Sequence, residues 1–129
     1  MKINILVTGA LYATQSSYSA LQFCRMALDQ GHEITQVFFY SDGVTQANDF
    51  SHVLADEFDA VVGWQSLAKQ AQIDLVVCVS ATERRGIIDQ DQAQQLEKTR
   101  GNLNSSFRVA GLGELHAASL ESDRMVSFK

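Results

Sequence analysis

One stretch of this sequence combines a nucleophile with positive charge. Cys78 lies near the carboxyl end of an apolar run, and Arg84 and Arg85 follow it closely. Nearby positive charge stabilises a thiolate, lowers the pKa of the thiol and makes it a nucleophile at neutral pH. The stretch therefore predicts a nucleophilic thiol at Cys78, with both arginines as candidate supporting residues. Cysteine is also among the most buried residue types, so a packing role for Cys78 stays open, as does a surface or partner-contact role for the arginines.

The run that carries this cysteine has the composition of a strand buried on both faces. Residues 73–79 read Ile, Asp, Leu, Val, Val, Cys and Val, which is typical of a parallel sheet. Open parallel sheets place their chemistry at the carboxyl ends of the strands. Tyr12, Thr14 and Gln15 follow the first predicted strand, so they are candidates for the same edge, where they could hydrogen-bond sulfur. A purely structural role in the loop is the alternative for these three residues.

The rest of the chain alternates strand-like and helix-like segments. Apolar runs predict strands at residues 3–7, 33–40, 73–79, 107–110 and 124–128. Apolar periodicity predicts helices from Ser16 or Ser17 to Gly31, over 57–71, over 90–98, and after the hinge at residues 111–113. This order predicts a single-domain, three-layer α/β fold with a mostly parallel five-stranded sheet and helices on both faces.

Helix caps and the exit from the third strand are predicted from polar residues. A hydroxyl of Ser16 or Ser17 is expected to cap the first helix, and Asp89 the polar helix at 90–98. A short polar turn is expected directly after Cys78. In the first helix Cys24 falls on the inward-facing stripe, so it is interpreted as a packing residue.

Composition restricts the classes of function. The chain has 129 residues, 46% of them apolar, and a net charge of −5. This acidic balance argues against a direct grip on nucleic acid or on an anionic membrane. Two cysteines are too few for a disulfide scaffold, and the apolar run at 3–7 is too short for a signal-peptide core or a membrane span. A reducing, cytoplasmic location is therefore expected.

Several common kinds of site have no motif here. The sequence contains neither a Gly-x-x-x-x-Gly-Lys-Ser/Thr phosphate loop nor a Gly-x-Gly-x-x-Gly segment after the first strand. His32, His52 and His116 lack partners at zinc-like spacing, so no metal site is predicted. A triad of Ser80, His116 and Asp123 lacks a nucleophile elbow and is not supported.

The chain resembles the DsrE-like sulfur-relay family, and within it the TusD-like branch. The matching segments run in order along nearly the whole chain, and no single one is decisive. They are Thr8-Gly9-Ala10-Leu11-Tyr12-Ala13-Thr14-Gln15, Val37–Tyr40 with Gly43-Val44, Asp56–Asp59 with Trp64, Cys78 with Arg84-Arg85-Gly86, Phe107 with Gly111-Leu112-Gly113, and Ala118–Leu120 with Asp123-Arg124.

This resemblance implies a sulfurtransferase built as one DsrE-like domain over residues 1–129. Members accept sulfane sulfur as a persulfide on one cysteine, which falls on Cys78 here. The TusD-like branch acts in the relay that makes 2-thiouridine at the tRNA wobble position. It receives sulfur from a TusA-like donor, passes it to a TusE-like acceptor, and assembles with TusB-like and TusC-like paralogues into a heterohexamer. The chemistry requires no metal and no organic cofactor, and no direct contact with tRNA or membrane is expected.

Three alternatives remain at the level of sequence. The same motifs and cysteine occur in DsrE subunits of dissimilatory sulfur oxidation. A non-catalytic scaffold subunit would carry Cys78 only for packing. A small flavodoxin-like module would retain bound flavin or nucleotide after purification.

Overall fold

Five parallel strands form one sheet in the computed structural model, which describes residues 1–129. The strand order is β4-β3-β2-β1-β5, and every neighbouring pair is parallel. The predicted α/β fold with a five-stranded parallel sheet is confirmed. The strands are β1 (Lys2–Val7), β2 (Glu33–Phe39), β3 (Asp74–Cys78), β4 (Phe107–Ala110) and β5 (Arg124–Phe128).

Helices connect the strands, and none of them is long and apolar enough to span a bilayer. A 3₁₀ helix over Ser41–Ala47 follows β2 directly. The α-helices are α1 (Ser16–Asp29), α2 (Ala60–Ala71), α3 (Val79–Arg84), α4 (Gln90–Gln95) and α5 (Leu112–Glu121).

The pleat of the sheet separates two faces. Ile5, Val37 and Leu75 are aligned across β1, β2 and β3, on the face that α1 and α2 cover. Asn4 and Gln36 are aligned on the other face, where α5 packs on β1 and β2. Right-handed crossovers explain this arrangement: the three connections from β1 to β4 advance in one direction across the sheet, whereas the connection from β4 to β5 returns.

An aromatic cluster fills the core between the sheet and α2. Phe39 on β2 contacts Trp64 on α2 edge to face at 5.1 Å and Phe107 on β4 at 5.2 Å between ring centroids. The Trp64 indole donates to the Gln46 side-chain oxygen at 2.7 Å, and the Gln46 amide nitrogen donates to the Gly9 carbonyl at 3.1 Å. Gln46 therefore ties the 3₁₀ helix both to α2 and to the loop that leaves β1.

The opposite face has a thinner cover. Helix α5 contains no buried residue, and Leu120 at its carboxyl end is 74% exposed. Leu112 at its start and Met125 on β5 are also exposed. Helix α5 belongs to the one connection that returns across the sheet, so it crosses this face alone. No second layer of this chain covers its outer side.

The start of α1 differs from its prediction. Gln15 is the N-cap residue, without a side-chain cap, so the capping roles predicted for Ser16 and Ser17 are wrong. Both serines are helical and buried. The Thr14 hydroxyl donates to the Ser16 hydroxyl at 2.8 Å, whereas the Ser17 hydroxyl has no partner. The first turn of α1 is therefore held by packing against the rest of the protein and has no side-chain cap.

The other caps follow local hydrogen bonding. The Asp59 carboxylate accepts from the Val62 backbone N–H at 3.1 Å, so α2 begins later than the predicted residue 57. Asp89 caps α4 as predicted, in a reciprocal capping box with Gln92. This polar helix ends at Gln95 rather than at residue 98.

Replacing Trp64 by Phe removes the indole N–H and leaves the buried Gln46 oxygen without its donor. We expect the free energy of unfolding to fall by about 2–4 kcal/mol, from the unpaired oxygen and the space left by the smaller ring. Urea unfolding followed by far-ultraviolet circular dichroism measures this change. Val62→Ala on the exposed side of α2 is the control and should change stability by less than about 0.5 kcal/mol. Equal small losses in both variants would contradict a role for the Gln46 hydrogen bond.

Candidate active site

Cys78 is the last residue of β3, at the carboxyl edge of the sheet. It is aligned with Ala110 at the end of β4, and β2 borders the same strand on its other side. Helix α3 begins at the next residue, with Cys78 in its N-cap position. The predicted polar turn is therefore wrong, because residues Val79–Arg84 continue directly as a helical segment. The backbone switches from strand to helix at the cysteine itself.

The Cys78 thiol is buried in the isolated chain. Its residue is only 1% exposed and belongs to the main apolar core. The sulfur lies 3.4 Å from the Ser80 hydroxyl, and this is its one side-chain hydrogen-bond contact. Val79, the next residue, is exposed. The thiol is therefore buried next to a hydroxyl that can donate a hydrogen bond to sulfur.

Arg84 and Arg85 do not contact the Cys78 thiol. Arg85 Nε donates to the Asp42 carboxylate at 3.0 Å, and its Nη1 donates to the Ala81 carbonyl at 3.1 Å. Arg84 is the exposed last residue of α3. Arg85 thus joins the end of α3 to the 3₁₀ helix, a connection that the sequence did not indicate because Asp42 lies far away along the chain.

Tyr12, Thr14 and Gln15 come together in a separate pocket of about 250 Å³ at the start of α1, also lined by Ser17, Tyr18 and Phe58. Cys78 is not part of its wall. The Tyr12 hydroxyl accepts from the backbone N–H of Ala60 at 3.2 Å. Burial raises the pKa of Tyr12, and the nearby carboxylates of Asp59 and Glu57 add to that direction, while the Ala60 hydrogen bond opposes it. The structure therefore groups these residues with each other and with the start of α2.

Ser80 is the site residue that sequence analysis did not assign to the thiol. It was considered only for a hydrolase triad, whose partners His116 and Asp123 belong to α5 and to the segment before β5. The signal that identifies it is the helix start at Val79, since Ser80 then lies in the first turn beside the N-cap cysteine. That signal requires the helix boundary, which the sequence alone did not provide.

Cys24 has a different environment. It is fully buried on α1, and burial raises the pKa of its thiol to about 12. At neutral pH almost none of it is thiolate, so it is a poor nucleophile. The interpretation of Cys24 as a packing residue fits this environment.

Comparison with known proteins identifies the family. The model of the DsrE/DsrF-like family matches residues 1–128. The chain belongs to the DsrE/DsrF-like family. Sulfurtransferase TusD of Enterobacter sp. (strain 638) is 44% identical over 99% of this chain and 100% of the relative. Sulfurtransferase TusD of Salmonella dublin is 47% identical over the same shares of each chain. That of Yersinia pestis (strain Pestoides F) is 45% identical over 99% of this chain and 98% of the relative.

These full-length relatives confirm the predicted sulfurtransferase and the TusD-like branch of the DsrE/DsrF-like family. The fold also matches the crystal structure of the ychN protein from E. coli, with a TM-score of 0.78 over 99% of both chains. At 19% identity that likeness concerns the fold alone.

We expect the stability of the chain to depend on pH through Cys24. Its folded-state pKa of about 12 lies above the ordinary thiol value of 9.0, so the unfolded chain releases this proton first as pH rises. The stabilisation is complete below pH 9.0 and is lost as pH rises toward about 12. The expected loss is about 1.4 kcal/mol per pH unit in that window. Urea unfolding at several alkaline pH values measures the slope.

Cys24→Ala is the matched variant, because it removes the titrating thiol and leaves every other group unchanged. Its free energy of unfolding should fall less steeply with pH than that of the parent chain. Parallel slopes would show that Cys24 does not supply the dependence.

Asp42→Asn weakens the ion pair that joins the 3₁₀ helix to Arg85. The pair is partly exposed, so its loss should have a small effect on global stability. Local opening around α3 should increase, and native-state alkylation of Cys78 should accelerate about two- to fivefold. Mass-spectrometric peptide mapping at timed intervals gives the rate. Asp91→Asn on α4 is the control, and acceleration in both variants alike would contradict a specific effect of the Arg85 pair.

Proposed function

We propose that this sulfurtransferase carries sulfane sulfur as a persulfide on Cys78 and passes it to a partner protein in the relay that makes 2-thiouridine at the tRNA wobble position. One observation supports Cys78 above all. It is the cysteine at the carboxyl edge of a parallel sheet, where this class of fold places its chemistry. The other cysteine, Cys24, lies in the core between α1 and the sheet.

The transfer is a thiol exchange that needs no net oxidation. The Cys78 thiolate attacks the outer sulfur of a donor persulfide, a new S–S bond forms, and the donor leaves as a thiolate. An acceptor thiolate then attacks the outer sulfur of the Cys78 persulfide. The outer sulfur passes to the acceptor, and Cys78 is released as a thiolate. The Ser80 hydroxyl, 3.4 Å from the Cys78 sulfur, is positioned to donate a hydrogen bond to either anionic form.

Burial of Cys78 makes access a part of this mechanism. A sulfur atom in a residue that is 1% exposed does not meet a donor protein without local movement. Helix α3 has only six residues, and Arg85 at its end is held by one partly exposed ion pair. Small displacement of this helix on docking of a partner is therefore the step that exposes the thiol.

The proposed partners follow from the TusD-like branch. A TusA-like protein donates sulfur, a TusE-like protein accepts it, and TusB-like and TusC-like subunits complete a heterohexamer. The exposed side chains of Leu112, Leu120 and Met125 on the thinly covered face support contact with such subunits. Both cysteines are free, which suits thiol chemistry in the cytoplasm.

The tRNA relay is favoured over the dissimilatory sulfur-oxidation relay. The similar relatives are TusD proteins that match this chain over nearly its whole length at 44–47% identity. A scaffold subunit with an inert Cys78 is the competing function, and its specific support is the burial of the thiol.

Incubation of the purified chain with a TusA-like persulfide donor tests the proposal. We expect a gain of about 32 Da per chain in intact mass spectrometry, reversed by a thiol reductant. Cys78→Ser should abolish the gain, since serine forms no persulfide.

Cys24→Ala is the matched control and should retain the gain. A gain that persists in Cys78→Ser would reject Cys78 as the carrier. Full sulfur transfer by Cys78→Ser in the relay reconstituted with its paralogues would support the scaffold function instead.

A further inference from the structure

A second pocket, of about 320 Å³, lies on the sheet face covered by α5. One side of α5 forms one wall, with residues at positions i, i+3, i+4 and i+7 of the helix. The first and last of these are glutamates, and the small side chains of the two alanines between them leave space for the pocket. Strands β2 and β3 form the opposite wall. The lining residues are Glu114, Ala117, Ala118 and Glu121 from α5, and Thr35, Gln36 and Asp74 from the sheet.

The pocket has more negative than positive charge. Arg108 on β4 pairs with Asp74 at 2.6 Å and also with Glu114. This guanidinium lowers the pKa of Glu114, so that carboxylate is ionised at neutral pH. Two carboxylates thus share one cation, and Glu121 forms no ion pair at all. The lining therefore repels anions and favours a cation.

A buried amide without a partner forms part of the same wall. Gln36 is 5% exposed, and its side-chain oxygen has no hydrogen-bond partner. Asn4 is aligned with Gln36 on the neighbouring strand, is fully buried, and has no partner for either polar atom of its side chain. Buried polar groups are normally hydrogen-bonded, and these two amides leave two acceptor oxygens and one donor nitrogen without a partner. A half-turn about the terminal torsion of Gln36 lets its oxygen or its nitrogen face the pocket.

We propose that this pocket binds an organic cation through an alkylammonium or guanidinium group. Such a group donates hydrogen bonds to the Glu121 carboxylate and to the Gln36 amide oxygen, and it offsets the surplus negative charge. The negative charge of the lining favours a cation, and the unpartnered Gln36 oxygen accepts a hydrogen bond. An alkylammonium or guanidinium group supplies both a positive charge and N–H donors on an apolar stem. Ala117 and Ala118 provide the apolar contact for that stem. A free polyamine and a basic side chain of a partner protein present the same chemistry.

Titration of the ¹⁵N-labelled full chain tests the pocket and separates the two sources. Spermidine represents a free polyamine, and N-acetyl-arginine amide and N-acetyl-lysine amide represent protein side chains. We expect saturable shifts of the Gln36 side-chain amide and of the Ala117 and Ala118 backbone amides. Binding of spermidine alone assigns the site to a polyamine, and binding of an amino-acid amide assigns it to a protein side chain. No localised shift with any of the three probes overturns the proposal.

Glu121→Gln removes one charge while it keeps the shape of the side chain, and we expect about two- to fivefold weaker binding. Glu97→Gln makes the same change of net charge at an exposed residue after α4 and should leave the affinity unchanged. Equal weakening by both variants would show attraction to net charge alone and would overturn a specific site.

Gln36→Met separates binding from structure. Methionine fills a similar volume without a polar atom, so the free chain should be at least as stable in urea unfolding, because an unpaired buried amide is removed. The cation should bind less tightly to this variant. Reduced stability together with unchanged cation affinity would show that Gln36 serves only the fold, and it would overturn the assignment.

Discussion

The direction of one connection determines how this molecule is covered. Parallel pairing requires each strand to be followed by a crossover, and right-handed crossovers that advance from β1 to β3 bring α1 and α2 to the same face. Only the final crossover returns, past β3, β2 and β1, and it brings α5 alone to the other side. The aromatic core beside α2, the exposed outer side of α5 and the acidic pocket beneath it all follow from this asymmetry.

The candidate thiol combines two requirements that oppose each other. A central parallel strand must be buried, and a sulfur carrier must be reached by other proteins. Cys78 meets the first requirement as the last residue of β3. The short helix that follows it, with exposed side chains at Val79 and Arg84, is the element that must move for a partner to reach the thiol. In the proposed transfer, burial of the sulfur favours exchange with a docked protein over exchange with small thiols in solution.

Sequence reasoning predicted the sheet well because its signals are local and strong. Valine-rich runs specify β3, and Asp89 with Gln92 specifies the start of α4. The sequence-based predictions were wrong where tertiary contacts determine the local structure. The helix after Cys78 has no distinctive cap residue, and burial of Ser16 and Ser17 replaced the capping role that their hydroxyls suggested. The sequence also predicted that the loop after β1 would lie beside Cys78. In the structure β2 separates β1 from β3, and Tyr12 in that loop is hydrogen-bonded to α2 instead.

The short outer strands have a consequence for how far this sheet can grow. β4 has four residues and β5 has five, and each ends the sheet with one side of its backbone unpaired within the chain. Arg108 in β4 is held by two carboxylates, and Arg124 begins β5. Brief strands with fixed or exposed cations are poor templates for another strand, so stacking of copies edge to edge is disfavoured. Association is thereby directed to helix and loop surfaces, where side chains rather than backbone groups select the partner.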